Sequence, residues 1–282
     1  MERLCIIVDE LGDDLDLALE TCARFDVPEV ELRTVDGRSW LSLEEPELVD
    51  VATRIREQGF GIPALASPIF KCPLPGESDR PGAALHGAAK SATLEDHWAL
   101  LTQALERASV IEVPLIRIFS CWRVANPAEV FAPVAEIVVE AQRVAAPYPV
   151  EVALENEHDC NVATAAETIA LLDAVPDLRV IWDPANHVRA GGEPTDSVLA
   201  GYGDRIAHMH IKDVGSDGKW VPLGLGLVPY EAVIEQAVAE GYGGAFSLET
   251  HCEIDGSRIT ASAAALVRLR AIGQRLPLGQ SQ

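Results

Sequence analysis

Four apolar runs in the second half of the chain stop abruptly at a residue able to hold a metal ion or carry a proton. They are Val152-Ala153-Leu154-Glu155, Val180-Ile181-Trp182-Asp183, Ile206-Ala207-His208-Met209-His210 and Phe246-Ser247-Leu248-Glu249. Runs of this kind, bounded by turns, read as buried parallel strands. If their ends converge, two glutamates, an aspartate and a histidine meet. Carboxylates so near a core are costly unless paired or coordinated. Crowded together they repel, and some stay protonated. A divalent cation removes both problems, and an oxygen-rich set with one imidazole suits Mn²⁺, Mg²⁺ or Co²⁺, with Zn²⁺ also admitted. The competing reading, an isolated loop acid or helix cap at each position, is the default for one strand and weak for four in succession.

The elements that must position these residues recur along the whole chain. Eight strands are expected, at 4–8, 29–33, 60–66, 115–120, 150–155, 179–183, 206–211 and 245–249. Helical patterns alternate with them. Leu15, Leu19 and Cys22 share one face, as do Leu48, Ala52 and Ile55. Thr93 with Asp96 and Thr164 with Glu167 form capping-box pairs, and Asn126-Pro127 opens a fourth helix. A short helix is expected near 196–200, another over 230–240 stopped by Gly241, and a last one over 258–272. Eight alternations without a composition break predict an α/β protein with a single closed (β/α)8 TIM barrel spanning 1–275, followed by a loose tail at 276–282. The length of 282 residues suits that fold, which takes roughly 250. An open doubly wound sheet calls for a glycine-rich phosphate loop after an early strand, and the first strand is followed by Gly12 alone. Two long connectors, 67–91 and 214–229, follow strands on the side where such barrels build their sites, and are equally readable as substrate loops or plain surface loops.

Composition narrows the partners. A formal charge of −22 and a pI near 4.6 repel phosphate backbones, so nucleic acid is not expected. No stretch reaches the roughly 20 apolar residues of a membrane span, and the N-terminus lacks the apolar run of a signal peptide. Six scattered cysteines without a CxxC pair predict free thiols and a cytoplasmic setting.

In order and approximate spacing, the C-terminal half resembles the sugar phosphate isomerase/epimerase superfamily with the xylose-isomerase-like barrel. Its members include ketose 3-epimerases, hydroxypyruvate isomerases, inosose dehydratases and, more distantly, apurinic endonucleases. The matching motifs are Leu154-Glu155-Asn156, Trp182-Asp183-Pro184-Ala185-Asn186, His208-Met209-His210-Ile211-Lys212-Asp213, Pro222-Leu223-Gly224-Leu225-Gly226 and Leu248-Glu249-Thr250-His251. The N-terminal half matches only in rhythm. The resemblance implies one divalent ion, foremost Mn²⁺, held by Glu155, Asp183, His210 and Glu249. It also implies a small sugar-like substrate and Glu155 and Glu249 as the pair that removes and returns a proton beside a carbonyl. His210 fits the ligand position because it directly precedes the apolar-Lys-Asp stretch, which leaves His208 as a buried structural histidine. Many relatives carry a histidine three residues after the aspartate; here Asn186 stands there, with His187 next. Asn186 can hydrogen-bond a substrate hydroxyl but cannot take a proton, so His187 stays a candidate beside it. Arg123, Trp122, His158, Lys212 and His251 are further candidates for substrate contact, Trp122 by stacking on a sugar ring and Asp213 as a residue orienting Lys212. The endonuclease branch needs histidines at the third and fourth strand ends, where Ser67 and Ser120 stand, with His86 and His97 falling elsewhere. Isomerase, epimerase and dehydratase chemistry all begin by proton abstraction and remain open, as does a non-catalytic sugar-binding barrel. With Lys219 the sole cation over 214–229, an unphosphorylated substrate is preferred. A homodimer is expected by analogy alone.

Overall fold

A computed structural model describes residues 3–77, 93–195 and 197–275. Seven parallel strands form one sheet in the spatial order Glu29–Glu31, Leu4–Ile7, Phe246–Leu248, Ile206–Ile211, Arg179–Trp182, Glu151–Glu155 and Leu115–Ile118. The ring closes through the extended segment 61–65, which bridges Glu29 through Gly61 on one side, and Leu32 and Ile116 through Leu65. The expected strand over 60–66 is therefore reduced to isolated bridges. Pro63 has no N–H to give a ladder, although Leu65 N still donates to Leu115 O at 2.9 Å and Ala66 N to Leu32 O at 2.9 Å. The result is an α/β barrel.

Helices surround the sheet where apolar spacing puts them. Leu15–Arg24 buries Leu15, Ala18, Leu19 and Cys22, and its N-cap Asp14 accepts from Leu17 N. Capping boxes open Leu94–Val110 at Thr93 and Ala165–Ala174 at Thr164. Tyr230–Ala239 and Arg258–Arg275 complete the ring. Two expectations need correction. Asn126-Pro127 opens only a 3-10 turn, Pro127–Val130, and the α-helix begins at Phe131. Near 196–200 the chain forms one irregular turn, Leu199–Tyr202, because Ala200 and Gly201 leave helical geometry; Asp196 itself lies outside the described residues. The expected tail at 276–282 and most of the connector 67–91, including His86, also lie outside them. No described helix is long and apolar enough to cross a membrane. All six cysteines are buried free thiols.

Alternate residues of each strand face the barrel axis, and these inward rows change in character from end to end. At the N-terminal end Ala64, Leu115, Ala153 and Ile181 form a small apolar plug. Two residues further along three of these strands stand Arg117, Glu155 and Asp183, joined by His210 from the neighbouring strand, all buried. The bulk of the core lies outside the barrel, between strands and helices, where Leu4, Ile6, Trp182, Met209 and Phe246 meet Leu19, Leu48, Leu105 and Leu266. The plug closes the barrel at one end, so the polar rows are open to solvent only at the other.

Candidate metal and substrate site

Glu155, Asp183, His210 and Glu249 come together at the C-terminal mouth, with one ligand atom from each within 4.8 Å of the others. All four are strand-borne or follow directly on a strand. Asp183 is also the N-cap of Pro184–Arg189, a helix the sequence reading missed; its Oδ1 accepts from Ala185 N at 2.8 Å and Asn186 N at 2.9 Å. Its Oδ2 is wholly buried. It lies 2.9 Å from Lys212 Nζ but out of hydrogen-bonding alignment, and it has no hydrogen-bond partner among the described residues. A buried carboxylate oxygen that has an ion pair with Lys212 but no hydrogen bond, and that faces two glutamates and an imidazole, has room in its coordination for a cation, and this three-carboxylate, one-imidazole donor set fits a divalent ion.

The acids are also compensated by the chain's own cations. His210 Nδ1 lies 3.1 Å from Glu155 Oε1 and 3.8 Å from Glu249 Oε2. Arg117 Nη1 donates to Glu155 Oε2 at 2.9 Å and stands 3.7 Å from Glu249 Oε1. Lys212 Nζ donates to Glu249 Oε2 at 2.5 Å. Arg33 Nη1 donates to Glu249 Oε1 at 2.9 Å while its Nη2 reaches Asp9 and Glu10. His251 Nε2 lies 3.0 Å from Glu249 Oε1. Burial would raise all these carboxyls, but the cations decide the outcome. Lys212, His251 and His210 hold Glu249 well below the usual carboxylate range, and His210 with Arg117 brings Glu155 down. Asp183 goes the other way: burial dominates, and Glu155 and Glu249 add to it against the pull of Lys212. His210 is held well above its ordinary value, because Glu31 and Glu155 outweigh its desolvation. Glu155 and Glu249 are therefore ionised at neutral pH and able to accept a proton.

Beside this cluster opens a pocket of about 210 Å³, lined by Arg117, Lys212, Glu249, His251, His158 and Trp220 among others. Trp220 belongs to a two-stranded hairpin, Asp213–Val214 with Trp220–Val221, inside the connector 214–229. Its ring is met by the Arg189 guanidinium at 4.5 Å and by the His158 ring edge-on at 5.5 Å. Trp122 is also in the pocket wall, and its indole Nε1 is buried with no hydrogen-bond partner among the described residues.

The sequence candidates separate into two groups. Trp122, His158, Lys212 and His251 line the pocket. Asn186 lies beneath it, wholly buried, where its amide donates to Glu155 Oε1 at 3.1 Å and Asn156 O at 2.9 Å, and its oxygen faces His158 Nδ1 at 3.0 Å. Its position serves Glu155 rather than an incoming hydroxyl. The structure does not bring His187 or Arg123 to the pocket. His187 is turned away from the barrel axis, with Nδ1 accepting from Ala165 N at 3.0 Å and Nε2 beside Glu193 O. Adjacent residues on a helix point about 100° apart, so Asn186 and His187 cannot both face inward. Arg123 is drawn to Glu167 at 2.7 Å and to the carbonyls of Cys160 and Asn161. Asp213 does not orient Lys212. Its carboxylate instead gathers the amides of Val214, Gly224, Gly226 and Val228 and so shapes the connector. Residues that strand-end reading passed over include Arg117, Asp9, Glu10, Trp220, Glu31 and Arg33. For Arg117 the missed signal was a lone cation in mid-strand, between Ile116 and Ile118.

No curated protein matches the sequence. Among solved structures, the chain resembles an IolI protein with a zinc atom bound (TM-score 0.73, 19% identity, covering 96% of this chain and 97% of that one). It also resembles the probable 3-DHS dehydratase AsbF of Bacillus anthracis (0.70, 17%, covering 95% and 97%) and the 3-keto-D-glucoside 4-epimerase YcjR of E. coli (0.68, 13%, covering 97% and 99%). At these identities the likeness is one of fold. The family profile of the xylose isomerase-like TIM barrel matches residues 19–271, nearly the whole chain. On that match, the chain belongs to the xylose isomerase-like TIM barrel family.

Proposed function

We propose that this protein is a divalent-metal-dependent isomerase or epimerase that moves a proton beside the carbonyl of a small sugar-like substrate. The observation that carries the reading is the pairing of Glu155 and Glu249: two buried carboxylates, 2.9 and 3.7 Å from the one Arg117 guanidinium nitrogen, at the edge of a pocket of about 210 Å³. Glu155, Asp183, His210 and Glu249 would hold the metal, foremost Mn²⁺, which supplies Lewis-acid stabilisation of negative charge on substrate oxygens.

The chain's own residues do the rest. Glu249 lines the pocket and Glu155 lies just beneath it. In an isomerisation the carboxylate that accepts the proton returns it to the adjacent carbon; in an epimerisation one carboxylate removes the proton from one face and the other, having taken up a proton from solvent, delivers it to the opposite face. Asn186 clamps Glu155 Oε1, and Lys212 and His251 clamp the two oxygens of Glu249, so that neither carboxylate has to reorient before the transfer. Trp122 and Trp220 contribute their indoles to the pocket wall, where a sugar ring would pack against them.

The test is incubation of the metal-loaded protein with a panel of free ketoses, keto-acid sugars and inositol-like ketones in D₂O. The expected result is solvent deuterium entering next to the carbonyl, abolished by Glu155→Gln and by Glu249→Gln. Loss of water from the product would reassign the chemistry to a dehydratase. Absence of exchange across the panel would count against the reading.

A further inference from the structure

Glu31 ends the short strand Glu29–Glu31 and is paired in register with Ile7, across the barrel from the ligand strands. It is wholly buried, and among the described residues the side chains that hydrogen-bond its carboxylate are Ser247, His208 and His210, each able to donate. Ser247 Oγ donates at 2.7 Å, His208 Nε2 lies at 3.1 Å, and His210 Nε2 is reached by both oxygens, at 3.2 and 3.1 Å. A carboxylate buried at this depth is costly unless its oxygens are satisfied. Here two imidazoles and a hydroxyl satisfy them and fix its orientation. His208 and His210 stand two residues apart on one strand, so both rings enter the barrel, meeting edge to face at 5.5 Å. His210 is also in register with Ser247 on the neighbouring strand.

A neutral imidazole has one N–H and one lone pair, and which nitrogen carries which is set by the partner of the other. An ionised carboxylate only accepts. Both ring nitrogens of His210 face carboxylates, but Nδ1 is the one on the side of Glu155, Asp183 and Glu249, so a cation held by those acids meets Nδ1, and Glu31 keeps a hydrogen on Nε2. We infer that Glu31 is the positioning residue for His210, holding its Nε2–H so that Nδ1 is the nitrogen presented to the metal; this rests on the metal-site reading above. His208 takes no part in ligation: its Nε2 is spent on Glu31, and its role is to keep that carboxylate aimed.

The experiment uses zinc as the probe on the full chain. In zinc-loaded wild-type protein, long-range ¹⁵N–¹H correlation should show His210 coordinated through Nδ1, with a slowly exchanging hydrogen on Nε2. Chelator competition should show zinc affinity falling about 10- to 100-fold in Glu31→Gln, the range seen when the carboxylate behind a metal-bound histidine is removed. Ser247→Ala strips one donor from Glu31 but leaves its contact with His210, and should lose less zinc affinity than Glu31→Gln; an equal or larger loss would count against the inference. Coordination through Nε2 in the wild type overturns the inference even if Glu31→Gln cannot be folded, and so does a Glu31→Gln protein that binds zinc as tightly as wild type. If the wild type binds no zinc, manganese or cobalt, the metal site itself falls and the inference with it. Zinc bound through the wrong nitrogen removes only the role of Glu31.

Discussion

Arg117→Met removes the guanidinium that bridges the two candidate catalytic acids and stacks over the Phe119 ring at 4.8 Å, while keeping an unbranched apolar stem. Arg117 is buried and gives Nη1 to Glu155 at 2.9 Å, stands 3.7 Å from Glu249, and donates Nε to Ser67 O at 3.2 Å. Breaking a buried pair by deleting one partner costs about 3–5 kcal/mol, because the other charge is left without compensation. Glu155 keeps His210 at 3.1 Å and Glu249 keeps Lys212 at 2.5 Å, so the lower end, about 3 kcal/mol, is expected. At about 2–4 °C per kcal/mol for large domains, the melting temperature should fall by about 6–12 °C in EDTA. A divalent ion on the same carboxylates takes over part of the lost compensation, so the gap between variant and wild type should narrow at saturating metal. Thermal unfolding by circular dichroism, with and without metal, reads both quantities. A fall of less than about 2 °C in EDTA, or a gap that widens with metal, would refute the reasoning.

Two further predictions concern groups away from the acids. His97 accepts Phe70 N at 2.8 Å and is driven by burial from 6.5 down to about 4, only weakly opposed by Asp96. The unfolded chain takes up that proton first. The contribution to stability is therefore complete above about pH 6.5, is lost as pH falls towards 4, and amounts to about 3 kcal/mol; His97→Asn, which keeps an acceptor, should flatten stability across that window, and an unchanged slope would count against it. Gly226→Ala would place a Cβ 2.2 Å from Asp213 Oδ1 and 2.5 Å from Val214 O, both held by the connector's own hydrogen bonds. A loss of about 1–3 kcal/mol and faster proteolysis near the exposed Leu225 and Leu227 are expected, and a variant that melts and resists protease like wild type would contradict this.

Much of this architecture was readable from periodicity alone. Buried parallel strands leave continuous apolar runs, and seven of the eight expected positions carry sheet strands; the eighth fails as a strand at Pro63, whose missing N–H is itself a sequence feature. The convergence of Glu155, Asp183, His210 and Glu249 follows from strands ending on one side. What strand ends could not convey is direction. Arg117 and His208 lie within their strands and Glu31 ends one only three residues long, and only the inward alternation, counted across strands in register, brings them to the cluster. His187 and Arg123 are close in sequence to site residues but rotate away, one by the turn of a helix and the other by the pull of Glu167. Trp220 sits in a hairpin with strands of two residues, too short to leave a periodic signal. The cap at Asp183 was hidden by its second reading as a ligand, although an acid followed by proline is also how a helix begins.

Metal content, by elemental analysis of the purified wild-type protein and of Glu249→Gln after exposure to manganese, cobalt, magnesium or zinc, tests the proposed chemistry most directly. Near-stoichiometric metal in the wild type and a clear reduction in the variant are predicted. Absence of metal from both, under every ion offered, would leave the barrel standing and contradict the site built on it.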